Sequence, residues 1–370
     1  MFSVSPASVL VEGSAGPGPR HNAALPSLLR CPDGSLLLAH RIGTHKNSAD
    51  GTQWLWRSVD EGKSWARVPF SFAKRPLVEF RTAALSDIGG DQIAMLLTWL
   101  DHPDETAPLV NAKTEGLLPI HIGWTVSSNC GETWTSLREI NVSPLVQPAG
   151  NGPMLRLPNG ELLVAFETYK HYDDPSPWSA GAGIAISPDE GRTWLPKVIA
   201  ADATHRLSYY DQHVRVLRDG TLLSLMWVDD RGRPGMSEIW AMRSTDTGLT
   251  WSAPAPTGIQ GQYSTAIALN DGRWLMFYVL RHDDPSIRMA VGSPDGGSWE
   301  TCDECKLYAQ RTDDLTSSKG KGYAAYLQGM AKWTFGWPSA VRVPGGGVLA
   351  SYYAGEGDHS SVFLAKVAAR

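Results

Sequence analysis

Residues Ser187–Trp194 read S-P-D-E-G-R-T-W, and near-copies recur along the 370-residue chain. They are SVDEGKSW ending at Trp65, SSNCGETW ending at Trp134, STDTGLTW ending at Trp251 and SPDGGSW ending at Trp299. The second carries Asn129 in place of Asp, and the last is one residue short. Each part of the motif has a physical job. The Asp side chain bonds backbone N–H groups of its own turn, the Gly adopts a left-handed conformation, and the Trp packs between neighbouring units. One match would be weak evidence, whereas five in order define an internal repeat.

A second element precedes each Trp turn: an alternating strand, a Gly-containing turn and an apolar strand. Blade one has LPSLLRCPDGSLLLAH, blade two RTAALSDIGGDQIAMLLTW and blade three NGPMLRLPNGELLVAF. Blade four has YYDQHVRVLRDGTLLSLMW, blade five YSTAIALNDGRWLMFYVL and blade six WPSAVRVPGGGVLASYY. Six hairpins and five Trp turns predict an all-β chain of six four-stranded antiparallel blades, a six-bladed β-propeller. The last unit has no Asp turn, so the N-terminal segment, about residues 3–12, is expected to close that blade. Residues 1–370 then read as one domain, with the longest insertion, Asp101 to Pro119, in blade two.

Composition limits the function. The net charge of −5 offers no basic surface for nucleic acid, and no apolar run approaches a membrane span. The N-terminus lacks a basic region followed by an apolar core, so a cytoplasmic protein is expected. Oligomeric state is left open. Of the four cysteines, Cys302 and Cys305 form a lone C-x-x-C, read as a loop with two free thiols. No residue set has metal-ligand spacing, and no cofactor is called for.

In a propeller the first strand of each unit lines the central channel. Its entrance shares a face with the loops joining strands two and three, while the Asp turns lie on the opposite face. Asp60, Asp189, Asp246 and Asp295 are therefore assigned to turn stabilisation. The entrance-side loops are rich in ionisable groups, among them HRIGTHKNSADGTQ, ETYKHYDDPSPW, VDDRGRPG, RHDDPSIR and AGEGDHSS. Nine residues before each hairpin Gly stand Leu25, Arg81, Asn151, Asp211, Tyr263 and Trp337, expected to point into the channel mouth. Two residues on, His213 is the exception among small or compact residues. Strand alternation predicts that Tyr209, Asp211 and His213 share one face.

The repeats resemble the Asp-box (BNR) repeats of the sialidase superfamily over nearly the whole chain. That resemblance implies the propeller fold and a glycan as partner. Sialidases hold the substrate carboxylate with three arginines, use an Asp on a blade-one loop as acid/base, and use a Tyr assisted by a Glu as nucleophile. Here NAALPSLL stands where the first arginine's signature would be, with Arg20 upstream of it. Asp211 and Tyr263 occupy the blade-four and blade-five slots, so the triad does not carry over. Asp50 lies in the blade-one loop that the acid/base would occupy.

The candidate catalytic residues are Asp211, His213, Tyr209, Tyr210, Glu167 and Asp50. Candidate carbohydrate-binding residues are Arg81, Arg41, Arg231, Arg281, His40, Asn151, Tyr263 and Trp337, with Phe335 and Trp178 as further stacking faces. Asp101, Asp229 and Asp230 are additional carboxylates. The leading expectation is a sialidase-like glycoside hydrolase acting on a terminal acidic or deoxy sugar. The alternatives are a lyase on uronic-acid glycans with a His or Tyr base, and a non-catalytic glycan- or protein-binding propeller.

Overall fold

The computed structural model describes residues 2–13, 22–70, 77–233, 237–281, 284–310, 334–356 and 359–369. Arg20, His282 and Asp358 lie outside this set. The described residues contain no α-helix and form six antiparallel sheets. Blade one runs Asn22–Arg30, Leu36–Gly43, Thr52–Ser58 and Ala66–Val68 from the axis outward. Blade two runs Val78–Gly89, Gln92–Asp101, Ile120–Ser127 and Arg138–Glu139. Blades four and five begin with Leu207–Val216 and Gln262–Ala268. In blade three the innermost strand is split into Pro148–Ala149 and Leu155–Arg156. Blade six is Phe335–Arg342, Val348–Glu356 and His359–Ala369, completed by Phe2–Val4 and Ser8–Val11, which both pair with its last strand. The two ends of the chain therefore share one sheet.

The second strands are buried along their length and apolar up to their entrance-side ends, as in Leu36–Gly43 and Leu222–Asp230, because both faces of a propeller blade pack on neighbours. The turn chemistry matches the repeat. In blade three the Asp189 carboxylate accepts from the Thr193 N–H (2.8 Å), the Arg192 N–H (3.1 Å) and the Thr193 hydroxyl (2.7 Å). Gly191 has φ +75°, and a Cβ there would stand 2.1 Å from the Trp124 ring of blade two. Only glycine fits this contact between blades. Asn129 keeps most of the pattern, accepting from the Thr133 N–H at 2.9 Å.

One expectation fails on the outer edge. Cys302 and Cys305 lie within the strand Trp299–Ala309, not in a loop, and the Cys305 thiol donates to the Phe2 carbonyl at 3.0 Å.

Candidate active site

The innermost strands share an irregularity at one repeat position. Pairing slips between Ala24 and Ser27, Phe80 and Thr82, Tyr210 and His213, Gln262 and Ser264, and Gly336 and Ser339. In blade three the strand is interrupted at the same place. These are β-bulges, and they re-aim a side chain that regular pleating would send elsewhere. Four bulge residues adopt left-handed backbone conformations: Leu25 (φ 56°), Asp211 (49°), Tyr263 (31°) and Trp337 (53°). For non-glycine residues this conformation is strained, and such strain collects at ligand sites.

The bulges bring Leu25, Arg81, Asn151, Asp211, Tyr263 and Trp337 to one cavity of about 160 Å³ at the channel mouth. Lys46 and Arg281 add two further cations to its lining, and Tyr210, Trp227, Trp178 and Tyr353 add aromatic walls. Leu109, Val110 and Leu117 form one apolar side. These three belong to the blade-two insertion. The insertion is stitched to blade three by the Asn111 side-chain amide donating to the Tyr172 carbonyl (3.0 Å) and by Gln147 donating to the Leu117 carbonyl (2.9 Å).

Asp211 is the only carboxylate among the described lining residues. The Trp227 indole N–H donates to its Oδ2 at 2.7 Å, and the Asn151 amide donates to its Oδ1 at 3.0 Å. The same amide nitrogen donates to Glu167 Oε2 at 2.9 Å, and the Gln212 backbone N–H reaches Glu167 Oε1 at 2.9 Å. One amide therefore bridges two carboxyl groups. Burial raises the Asp211 pKa. The Trp227 bond, Arg281, Arg81 and Asn151 pull it back, and the net value is about 6. Glu167, beneath it and fully buried, is pushed well above the usual carboxyl range by burial and then by the Asp211 charge. The two carboxyl groups share one buried site, and burial holds both above the ordinary carboxyl range.

The cations are held from behind. Glu79, fully buried, pairs with Arg41 at 2.9 Å, His102 at 3.1 Å and Arg81 at 3.6 Å. Burial alone would raise its pKa, but Arg41, His102 and Arg81 together hold it below the ordinary range. Arg41 in turn donates to the His45 carbonyl (2.7 Å) and the Ser48 carbonyl (3.1 Å), fixing the loop that carries Lys46 and Asn47. Arg81 donates to the Asn47 side-chain oxygen. Arg281 donates to the Phe335 carbonyl at 2.8 Å. Burial and the nearby Arg281, Arg81 and Arg41 push the Lys46 ammonium well below its usual pKa. A bound anion would oppose that shift.

Several candidate residues are placed elsewhere. Tyr209 does not share a face with Asp211, because the bulge inserts a residue and reverses the alternation. Tyr209 packs among Ala182, Met226, Val228 and Met242, while Tyr210 lines the cavity and stacks on Trp227 at 4.4 Å. His213 lies behind the lining, edge-on to Tyr263 at 5.2 Å. Burial and then the Arg215 guanidinium keep its ring neutral. Asp50 is turned into its own loop, accepting from the Thr44 hydroxyl (2.6 Å) and from Ser48. His40 is fully buried, accepting from the Trp56 indole at 3.1 Å, with burial lowering its pKa to about 4. Arg41 serves the scaffold just described. Arg231 pairs with Glu115 at 3.4 Å and lies off the lining. Phe335 sits beneath Arg281, Asp101 pairs with His121, and Asp230 with Arg206 and Arg233; Asp229 is buried in its strand and also off the lining. Lys46, Trp227 and Tyr353 were not singled out in the sequence. Lys46 is the one lysine of the HRIGTHKNSADGTQ loop, and only the loop's position hinted at it.

Residues 102–348 match the family model described as a BNR repeat-like domain. The chain belongs to the BNR repeat-like family. No curated protein sequence matches this BNR propeller. Among solved structures it is similar to a protein of unknown function from Dyadobacter fermentans, with TM-score 0.73, 20% identity and coverage of 99% of this chain and 100% of that one. It is also similar to a Trypanosoma rangeli sialidase in complex with the inhibitor DANA (TM-score 0.65, 13% identity), covering 98% of this chain and 60% of the sialidase. A Penicillium chrysogenum alpha-L-arabinanase complexed with arabinobiose matches with TM-score 0.67 and 13% identity, covering 98% of each chain. At these identities the likeness concerns the fold.

Proposed function

We propose that the protein is a glycoside hydrolase that removes a terminal anionic sugar from a glycan. The observation that carries this reading is the cavity at the channel mouth. There Lys46, Arg81 and Arg281 face Asp211, the one carboxylate among the described lining residues, between stacked aromatic pairs. Three cations against one carboxylate favour an anionic ligand, and guanidinium groups suit a carboxylate. Tyr263 and Trp337, stacked at 4.3 Å, offer a flat face for a pyranose ring. The sialidase and arabinanase propellers named above support a sugar as ligand.

In this mechanism the anionic group sits on Arg81 and Arg281, with Lys46 beside them. Asp211 in its protonated form donates to the leaving-group oxygen as the glycosidic bond breaks, then draws a proton from the attacking water. Burial keeps the Asp211 pKa high enough for this work, against the pull of Trp227, Arg281, Arg81 and Asn151. Tyr210 stabilises the positive charge that develops on the sugar ring, and water takes the anomeric carbon as Asp211 accepts its proton. The Tyr210 hydroxyl accepts from the Trp178 indole at 3.0 Å, which favours negative charge on that oxygen.

A second reading is favoured by a specific observation. Glycosidases use two carboxyl groups at the bond, and the described lining has one. A lyase on uronic-acid glycans needs cations to neutralise the carboxylate and one base, a role that falls to a lining tyrosine because His213 is withdrawn. The test is a panel of sialic-acid- and uronic-acid-terminated glycans incubated with the protein and with Asp211→Asn. The hydrolase reading expects new reducing ends without ultraviolet absorption, lost in the variant. An unsaturated, absorbing product supports the lyase instead. Binding without either product refutes both.

A further inference from the structure

On the face opposite the cavity, two thiols from different blades meet a carboxylate. Cys31 opens the hairpin turn of blade one, where its N–H donates to the Ser35 carbonyl (2.8 Å) and its carbonyl accepts from the Gly34 N–H (2.9 Å). Cys130 sits in the Trp turn of blade two, at the left-handed position (φ 52°) that Glu61, Glu190 and Thr247 fill in other repeats. Both thiols are buried and neither is in a disulfide. One donor atom from each of Cys31, Cys130 and Asp33 lies within 4.8 Å of the others.

We propose that Cys31, Cys130 and Asp33 bind a soft divalent cation, Zn²⁺ or Cd²⁺, that clips blade one to blade two. The donor set fits: two thiolates and a carboxylate are borderline-soft ligands, and a tetrahedral ion with bonds of about 2.3 Å to sulfur separates two sulfurs by about 3.8 Å. The donor atoms, all within 4.8 Å of one another, stand near that separation. Asp33 is partly exposed (41%), so the fourth position opens to solvent and takes a water. Charge also balances. Two thiolates and a carboxylate around a divalent ion leave one negative charge, and Arg57 lies against it, donating to Asp33 at 2.6 Å and to Glu132 at 2.8 Å. The Asp33 carboxylate is oriented by the Ser35 N–H (2.9 Å) and hydroxyl (2.6 Å). This is also the one full-length repeat that has lost its box Asp, to Asn129. A clip there would reinforce the turn that departs from the pattern.

Binding replaces two thiol protons with one metal ion, so two protons leave per ion. Affinity therefore rises with pH across the neutral range.

The test uses the full chain with Cys302→Ser and Cys305→Ser, kept reduced without added thiols. Titration with Cd²⁺ should raise thiolate-to-metal charge-transfer absorption to a plateau at one equivalent, release two protons, and be reversed by Zn²⁺. Cys31→Ser and Cys130→Ser should each abolish the plateau. Asp33→Asn should keep the absorption but weaken binding by about tenfold or more. If the serine variants fold poorly, the native chain provides a second readout. Zn²⁺ should protect Cys31 and Cys130 from alkylation, mapped by peptide mass. Absence of the charge-transfer signal, its survival in Cys130→Ser, or equal alkylation with and without Zn²⁺ overturns the proposal.

Discussion

Asp211→Asn tests the electrostatics of the cavity through folding, before any substrate is known. The Asp211 pKa stands at about 6 in the folded chain against 3.8 for an unperturbed aspartate. Below pH 3.8 the carboxyl is protonated folded or unfolded and costs nothing. Between 3.8 and about 6 the unfolded chain releases a proton that the folded chain retains, so stability falls as pH rises. Above about 6 the loss reaches a plateau of about 3 kcal/mol, two pK units at about 1.4 kcal/mol each. Asn carries no charge, so the variant escapes this loss. It also returns some ionisation freedom to Glu167, which acts in the same direction. Asn still accepts from the Trp227 indole, but its amide opposes that of Asn151, a cost of about 1 kcal/mol that does not vary with pH. Urea unfolding of both proteins at pH 4 and pH 8 isolates the pH-dependent part. About 0.5 kcal/mol of the loss is already present at pH 4, so the variant should gain about 2.5 kcal/mol relative to the parent between the two conditions. A difference that is the same at both pH values would show that Asp211 is not held above its ordinary pKa. The account of the carboxyl pair would then fail.

Other outcomes follow from the same geometry. Catalytic activity should fall as pH rises through about 6, the value for Asp211, and a rate profile that climbs through that range would assign Asp211 to base catalysis. Glu79→Gln should destabilise the fold by about 3–5 kcal/mol, because Arg41, Arg81 and His102 lose a shared buried counter-charge; thermal unfolding measures it. Trp337→Ala should raise KM about tenfold with a smaller change in kcat, since it removes a stacking face rather than a reacting group. Gly191→Ala should cost about 2–4 kcal/mol in urea unfolding, through its positive φ and the Trp124 ring. Gly160→Ala, with the same backbone class and nothing within 4 Å, should cost only about 1–2 kcal/mol.

The repeat made the propeller readable from sequence because its signals are local. Asp189, Gly191 and Trp194 stabilise one turn whatever surrounds them, and the apolar second strands announce burial on both faces. Counting back from the hairpin glycines reached the six cavity positions because every blade has the same register between its turn and its mouth. The direction of neighbouring side chains was less accessible. Tyr209 was placed with Asp211 by simple alternation, which the bulge at Asp211 reverses in favour of Tyr210. No residue type marks such a bulge, since Leu, Asp, Tyr and Trp all occupy it. Arg41 looks available because it is a charged side chain in an entrance loop, and Asp50 because the sialidase resemblance puts the acid/base in that loop. Their partners, Glu79 for one and Thr44 and Ser48 for the other, are set by folding of the loop and not by spacing. Lys46 escaped notice for the same reason. It reaches the cavity from a loop that Arg41 ties at the His45 and Ser48 carbonyls.

On the function proposed above, Lys46, Arg81 and Arg281 select an anionic sugar for bond cleavage beside Asp211. The most direct measurement compares kcat/KM for two glycosides with one leaving group, a terminal uronic acid and its neutral methyl ester. The account predicts that the acid is cleaved about a hundredfold more efficiently, since charge-assisted bonds contribute about 1.5–3 kcal/mol. Equal efficiency, or preference for the ester, would contradict it.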